Sequence, residues 1–276
     1  MAAGIAIVTG ASSGIGEATA LHLRDLGFEV HAGVRREADA ERLSGLGLQP
    51  LTLDVTDPDS IAGLAATFAE RPVAALVNNA GIAVSGPIEL VPIEKLREQM
   101  EINFIGQVAV TQALLPALRS APGRIVNVSS IGGLVALPLA GPYAASKFAL
   151  EAVTDSLRRE LRHLGVKVIA VEPGGVKTPI WDKGAETAQS MEAGAPPDVA
   201  ELYREQAEAL RDEARKIATD RGIQPSEVAE VIGKALTSAR PRTRYLVGRD
   251  AKTRAAAARV LPDRVFDRLI ARALSG

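Results

Sequence analysis

Short apolar runs rich in β-branched residues recur along this chain, separated by longer Ala- and Leu-rich segments dotted with charge. The runs are Ile5–Thr9, Glu29–Val34, Gln49–Leu53, Ala74–Val77, Arg124–Val128 and Val166–Val171, with a seventh at Arg244–Val247. Apolar residues at helical spacing mark Gly14–Leu26, Ala38–Leu46, Pro58–Ala69, Ile93–Leu118, Tyr143–Leu164 and Pro225–Ala239. Strands with so little polar alternation are buried on both faces, and helices between successive strands demand parallel pairing. The rhythm therefore predicts an α/β fold: a doubly wound parallel sheet of about seven strands with helices on both faces and ligands beyond the strands' carboxyl ends. At 276 residues, 47% of them hydrophobic, the length suits one large domain better than two small ones. We expect residues 1–276 to form that single domain.

Aromatic residues make up only 3%, so Ala, Val, Leu and Ile must build the core. The chain has no cysteine, which excludes disulfides, thiolate metal sites and a cysteine nucleophile, and no metal is expected. A formal net charge of −1 provides no overall field for nucleic acid. No stretch approaches the length of an apolar membrane span, and no secretory leader pattern precedes the first strand, so a cytoplasmic location is expected. The regular alternation stops after Val171. Residues from about 178 to 222, carrying Trp181, Met191 and Tyr203, form an insertion long enough to suggest a lid. From about 249 to 276 arginines alternate with apolar residues in a basic helical tail. Packing on the body or on a partner is favoured for that tail over peripheral contact with a membrane, because Phe266 is its one aromatic residue.

The first strand runs directly into Thr9-Gly10-Ala11-Ser12-Ser13-Gly14-Ile15-Gly16 and then a helix. A glycine-rich turn there lets backbone approach a pyrophosphate, and the helix N-terminus offers free N–H groups to its charge. Further along stand Asn79-Ala80-Gly81 after the fourth strand, Asn103 in a helical segment, and Ser130 thirteen residues before Tyr143-Ala144-Ala145-Ser146-Lys147. Pro173-Gly174 follows the sixth strand, with Val176 and Thr178 shortly after. In this order and spacing the motifs resemble the classical short-chain dehydrogenase/reductase family, a single-domain Rossmann-type fold, over about residues 4–180. The segment Glu172–Trp181 and the long basic tail are similar to the family's steroid- and retinol-dehydrogenase branch.

Reducing a carbonyl by hydride leaves an alkoxide that needs a proton. A free tyrosine, with a pKa of about 10, is a poor base at neutral pH. Lys147 lies four residues after Tyr143, on the same helix face, so its ammonium together with a positive nicotinamide should lower the phenol's pKa into a useful range. Singly, each residue reads as ordinary packing or a solvated charge; as a set with the glycine turn they fill the roles such a reaction requires. The resemblance implies that Tyr143 is the proton donor and acceptor and that Ser130 hydrogen-bonds the substrate oxygen. It further implies that Lys147 also binds the nicotinamide ribose and that Asn103 holds a water linking Lys147 to solvent. The choice of Ser130 over Ser129 rests on family spacing.

For the cofactor, Gly10, Ser12, Ser13, Gly14, Ile15 and Gly16 form the phosphate turn. By resemblance Asp54 and Val55 flank the adenine, Asn79, Ala80 and Gly81 line the strand end, and Pro173, Gly174, Val176 and Thr178 meet the nicotinamide. NAD-binding folds usually carry an acid at the end of the second strand, where this chain has Arg35 and Arg36. The missing acid, and the fit of a guanidinium to a 2′-phosphate, favour NADP(H) over NAD(H). Segments expected around the reacting carbon are mostly apolar: Ile82, Val84, Leu134, Val135, Leu137, Leu139, Val176, Ile180 and Trp181. They hold no arginine for a carboxylate clamp, so an apolar ketone, aldehyde or secondary alcohol is expected. A β-ketoacyl-type reductase of lipid metabolism and a non-catalytic NADP(H) redox sensor are the alternatives. The resemblance also implies a homodimer or homotetramer through the helices near 93–118 and 143–164.

Overall fold

Each apolar run does form a strand. In the computed structural model residues 3–274 are described; Met1, Ala2, Ser275 and Gly276, at the ends of the predicted domain and tail, lie outside the described residues. Among the described residues the strands are β1 (Ile5–Val8), β2 (Glu29–Val34), β3 (Gln49–Thr52), β4 (Val73–Asn78), β5 (Arg124–Val128), β6 (Lys167–Pro173) and β7 (Arg244–Val247). They make one parallel sheet in the order β3-β2-β1-β4-β5-β6-β7. Strand order reverses between β1 and β4, the switch point at which such sheets open a crevice.

The connecting helices are α1 (Gly14–Asp25), α2 (Glu37–Gly45), α3 (Pro58–Thr67), α4 (Ile93–Met100), α5 (Gly106–Ser120) and α6 (Gly141–Glu160). Then come α7 (Ile180–Ala193), α8 (Pro197–Lys216), α9 (Pro225–Thr237), α10 (Arg249–Val260) and α11 (Asp263–Leu274). Two apolar layers sandwich the sheet, and β1 shows how period-two geometry feeds both. Ala6 and Val8 join Leu23 and Ile232 on the α1–α9 face, while Ile5 and Ile7 join Phe68 and Leu114 on the α3–α5 face. Small side chains permit close approach: at Gly233 of α9 a Cβ would lie 2.6 Å from the His22 imidazole of α1.

Two predicted helices differ. The single helix expected over 93–118 is broken by a π turn at Glu101–Ile105, closed by the Gly106 N–H on the Glu101 carbonyl. The predicted tail helix is two helices, because Pro262 cannot continue α10 and holds Leu261 extended at ψ 139°. The 178–222 segment folds as α7, α8 and a second π turn at Ile217–Arg221. Among the described residues no helix is long and apolar enough to cross a membrane.

Candidate active site

A large cleft opens over the carboxyl ends of β1, β4, β5 and β6, bounded at its mouth by α7, α8, α10 and α11. Its phosphate end is the glycine turn. Gly10 and Gly14 take φ of 63° and 57°, which favours glycine. Space matters as much: a Cβ at Gly10 would lie 2.8 Å from the Ala80 Cα, and one at Gly14 2.9 Å from the Thr178 Cγ2. Thr9 Oγ1 accepts the Asn79 and Ala80 N–H groups at 2.9 and 3.0 Å. The Asn79 amide donates in return to the Thr9 and Gly10 carbonyls at 3.0 and 3.1 Å. The turn is thereby locked to the end of β4.

Ser13 occupies the N-cap of α1 without a side-chain cap bond, so the first N–H groups of the helix stay available to an anion. A dinucleotide fits this cradle. Ser12, Ser13, Gly14, Ile15, Arg35, Asp54, Val55, Asn79, Ala80, Gly81, Pro173, Gly174, Val176 and Thr178 all line the cleft with Gly10. Gly16, counted with them from sequence, is not among the lining residues. A Cβ there would fall 2.2 Å from the Gly10 carbonyl oxygen, so its smallness lets α1 pack against the turn.

At the strand tip the two arginines part. Arg36 turns away as the N-cap residue of α2 and pairs with Asp39 at 2.7 Å. Arg35 lines the cleft, with the Asp54 carboxylate 4.0 Å from its guanidinium. Burial works to raise the Asp54 carboxyl, but donors from Thr56 and the Arg35 charge outweigh it and hold it below the usual range. Arg42, unremarked in the sequence, reaches the turn from α2, donating to the Ser12 carbonyl at 2.8 Å while paired with Glu17.

The floor is formed by Ser130, Tyr143, Lys147 and Asn103, all lining the same cleft. Ser130 leaves β5 in extended conformation, and its hydroxyl accepts the Gly132 N–H at 3.0 Å. Ser129 instead turns its hydroxyl towards Glu151. Gly132 makes room for the phenol: a Cβ there would lie 3.1 Å from the Tyr143 Cε1. Lys147 is 4% exposed, donates to the Val128 carbonyl at 2.9 Å and stands 5.8 Å from the centre of the Tyr143 ring.

Burial moves the two titrating groups apart, each towards its neutral form. Burial pulls Lys147 down to about 8, with the Glu151 charge working against it. Burial pushes the Tyr143 phenol up, and a hydrogen bond with Ser130 pulls the other way. The protein's own groups raise the phenol; the lowering expected from sequence combined Lys147 with the positive charge of a nicotinamide ring. Desolvation outweighs the Ser130 hydrogen bond.

Asn103 sits on the π turn, fully buried. Its Oδ1 accepts the Ile82 N–H at 2.8 Å, and its Nδ2 donates to the Ile82 carbonyl at 3.0 Å and to Ser146 Oγ at 3.2 Å. With its side chain committed to this clamp, a water for Lys147 would have to be held by the main chain of the turn, where helix hydrogen bonding is interrupted.

Of the apolar residues expected near the reacting carbon, Ile82, Val84, Val135, Leu137, Val176, Ile180 and Trp181 line the cleft. Leu134 instead packs against the tail cluster of Ile131, Val135 and Ala251. Leu139, at φ 63°, faces a smaller cavity beneath α7 and α8 that adjoins the cleft across Trp181 and Leu210. The Trp181 indole donates to the Val176 carbonyl at 2.7 Å, pinning the start of α7. Sequence reasoning missed the outer wall: Leu210 of α8 with Phe266, Leu269 and Ile270 of α11. It also missed Asp250, whose carboxylate accepts the Gly175 N–H at 2.8 Å and occupies the space a Cβ at Gly174 would need. An acid two residues beyond Gly248, at a strand's carboxyl end, was the available signal.

Comparison with known proteins agrees with this geometry. The sequence profile described as short chain dehydrogenase matches residues 4–189. The chain is 40% identical over 254 residues to a 3-amino-tetrahydro-pyrrolizinone reductase of Xenorhabdus hominickii, covering 89% of this chain and 87% of that protein. It is 38% identical over 276 residues to 17-beta-hydroxysteroid dehydrogenase type 6 of Bos taurus (96% and 87% covered). Retinol dehydrogenase 5 of Mus musculus is 36% identical over 275 residues (95% and 86%). A short chain dehydrogenase from Burkholderia cenocepacia, solved in complex with NADP, superposes with a TM-score of 0.74 at 28% identity over 100% of both chains. One from Burkholderia phymatum, in complex with NAD, gives 0.77 at 25% identity over 93% of this chain and 92% of that chain.

Proposed function

The chain belongs to the short-chain dehydrogenase family, and on that premise we propose that it moves hydride between NADP(H) and a lipophilic ketone, aldehyde or secondary alcohol. It is an NAD(P)-dependent oxidoreductase acting on CH–OH or C=O groups, with similarity to the family's steroid and retinol dehydrogenases. One observation carries the finer reading. Ser130, Tyr143 and Lys147 converge on the floor of a cleft with a glycine-turn phosphate cradle at one end and an apolar wall at the other.

A nicotinamide held in this cleft would supply or accept the hydride. The protein's groups handle the oxygen and its proton. Ser130 donates a hydrogen bond to the substrate oxygen, and Tyr143 gives that oxygen a proton in reduction or takes it in oxidation. Lys147 favours the phenolate and binds the nicotinamide ribose, its position set by the Val128 carbonyl. The π turn around Asn103 holds the water through which Lys147 regains a proton. Gly10 and the turn to Ile15 hold the pyrophosphate, and Asp54 and Val55 flank the adenine. The strand-end residues Asn79–Gly81 and Pro173–Thr178 enclose the nicotinamide half.

Two further parts follow from placement. Arg35 on the cleft, with no acid at the tip of β2, supports NADP(H) over NAD(H). Residues 178–222 act as a lid within one catalytic domain, and with the tail they supply an outer wall in which Leu210, Phe266 and Ile270 favour an apolar substrate. Ile93, Ile105 and Phe148, exposed on α4, the π turn and α6, suit a homodimer or homotetramer contact.

The test is oxidation of NADPH and NADH with a panel of steroid, retinoid, aliphatic and acyl ketones or aldehydes, with Tyr143→Phe beside wild type. Turnover with apolar members, lost in the variant by about 10²–10⁴-fold, is expected. Full turnover in Tyr143→Phe would overturn the mechanism, and a preference for carboxylate-bearing substrates would overturn the substrate class.

A further inference from the structure

Behind Lys147 lies a second group of charged residues that the reaction above does not use. Glu151 follows Lys147 by one turn on α6, and Asp155 follows by another, so all three share a helix face. Glu172 comes from the end of β6 and Arg244 from the start of β7, where the register pairs Ala170 with Arg244. The Arg244 guanidinium donates to Glu151, to Glu172 at 3.0 Å and to Asp155 at 2.8 Å. Asp155 is compensated nearer the surface by Arg158 at 2.9 Å and Arg159 at 3.4 Å. That leaves two carboxyls with side chains only 7% and 1% exposed, Glu151 and Glu172, facing one guanidinium and Lys147. Two buried carboxylates so close do not both ionise readily.

The packing around this group is tight. A Cβ at Gly133 would lie 2.9 Å from both the Glu151 Cγ and the Ser129 Oγ and 3.0 Å from the Lys147 carbonyl oxygen. Glycine at 133 therefore lets the 130–133 turn close over Glu151, with the Ser129 hydroxyl beside the same space.

We propose that Glu151, Glu172 and Arg244 form a positioning unit in which the two carboxyls share one proton and the negative charge carried on Glu151 keeps Lys147 an ammonium. The proposal rests on Lys147 acting as described above. Lys147 faces the Tyr143 ring and Glu151. Glu151 faces Arg244, Asp155, Lys147 and the Ser129 hydroxyl, and Glu172 faces Glu151 and Arg244. Burial, then the Glu151 charge, pushes Glu172 up to about 7. Burial alone pulls Lys147 down to about 8, and Glu151 opposes it. As pH rises through the neutral range the shared proton leaves, the pair becomes more negative, and the ammonium is held to higher pH. The unit thus strengthens its grip where Lys147 would otherwise discharge.

The test needs no known substrate. The dissociation constant of NADPH is measured by fluorescence across pH for wild type, Lys147→Met, Glu151→Gln and Glu172→Gln, with thermal melts to confirm folding. Wild-type binding should weaken at alkaline pH as Lys147 loses its charge, and Lys147→Met should lack that limb. In Glu151→Gln the limb should move to lower pH by about one unit. Glu172→Gln, which mimics the protonated acid, should fold, bind at low pH like wild type and show a smaller move in the same direction. If Lys147→Met keeps the limb, the reading of the site fails. If Lys147→Met loses it while both glutamine variants superpose on wild type, the positioning unit alone is overturned.

Discussion

Replacing Arg35 with serine should separate the two nicotinamide cofactors. The guanidinium lines the cleft, is 66% exposed, and its ion pair with Asp54 is long at 4.0 Å, so most of its donors are free for a 2′-phosphate. A hydrogen bond to a charged group contributes about 1.5–3 kcal/mol. Solvent screening at so exposed a side chain argues for the lower part of that range. About 1.5–2 kcal/mol corresponds to roughly a 10- to 30-fold rise in the dissociation constant of NADPH. NADH, which has no 2′-phosphate, should bind within about twofold of wild type on the same reasoning. Arg35→Asp should go further, offering a carboxylate to the ribose 2′-hydroxyl and repelling the phosphate, so that NADH becomes the better ligand. Fluorescence titration with both cofactors, backed by the ratio of kcat/KM values, reads the effect. Equal weakening of both, or an unchanged NADPH affinity in Arg35→Ser, would refute the assignment of the phosphate to Arg35.

Three other outcomes are expected. Gly16→Ala places a methyl 2.2 Å from the Gly10 carbonyl oxygen, so α1 must back away from the turn. An overpacking cost of about 1–3 kcal/mol should appear as a lower Tm, together with weakened binding of both cofactors; an unchanged melt would show that the helix end yields freely. Phe266→Ala removes apolar wall from α11 and should raise KM about tenfold for bulky apolar substrates while sparing small ones; a uniform change would place Phe266 off the substrate. Glu172, raised from 4.5 to about 7 in the folded chain, contributes stability that is present below its unfolded pKa and lost as pH rises through its folded one. Urea midpoints of wild type should therefore fall between about pH 4.5 and 7 relative to those of Glu172→Gln, and parallel curves would contradict the shift.

Residue spacing determined a great deal of this protein. Seven apolar runs separated by helical segments determined a parallel sheet because strand burial and crossover geometry act over a few dozen residues. The turn from Thr9 to Gly16 and the four-residue step from Tyr143 to Lys147 were legible for the same reason: their geometry is local. Only the tertiary structure decided what meets across the chain. Which of two adjacent arginines faced the cleft depended on Arg36 finding Asp39. The π turn at Asn103 reflects hydrogen bonds to Ile82, twenty-one residues away, that a helical pattern does not announce. Leu134 and Leu139 left the reacting centre because α10 covers one and α7–α8 roof the other. Arg244 lies far along the chain from Glu151 and Glu172, yet it joins them because β6 and β7 are neighbours in the sheet. The phenol followed the same logic. Spacing brought an ammonium beside Tyr143, but burial, a property of the folded whole, decided which way its pKa moved.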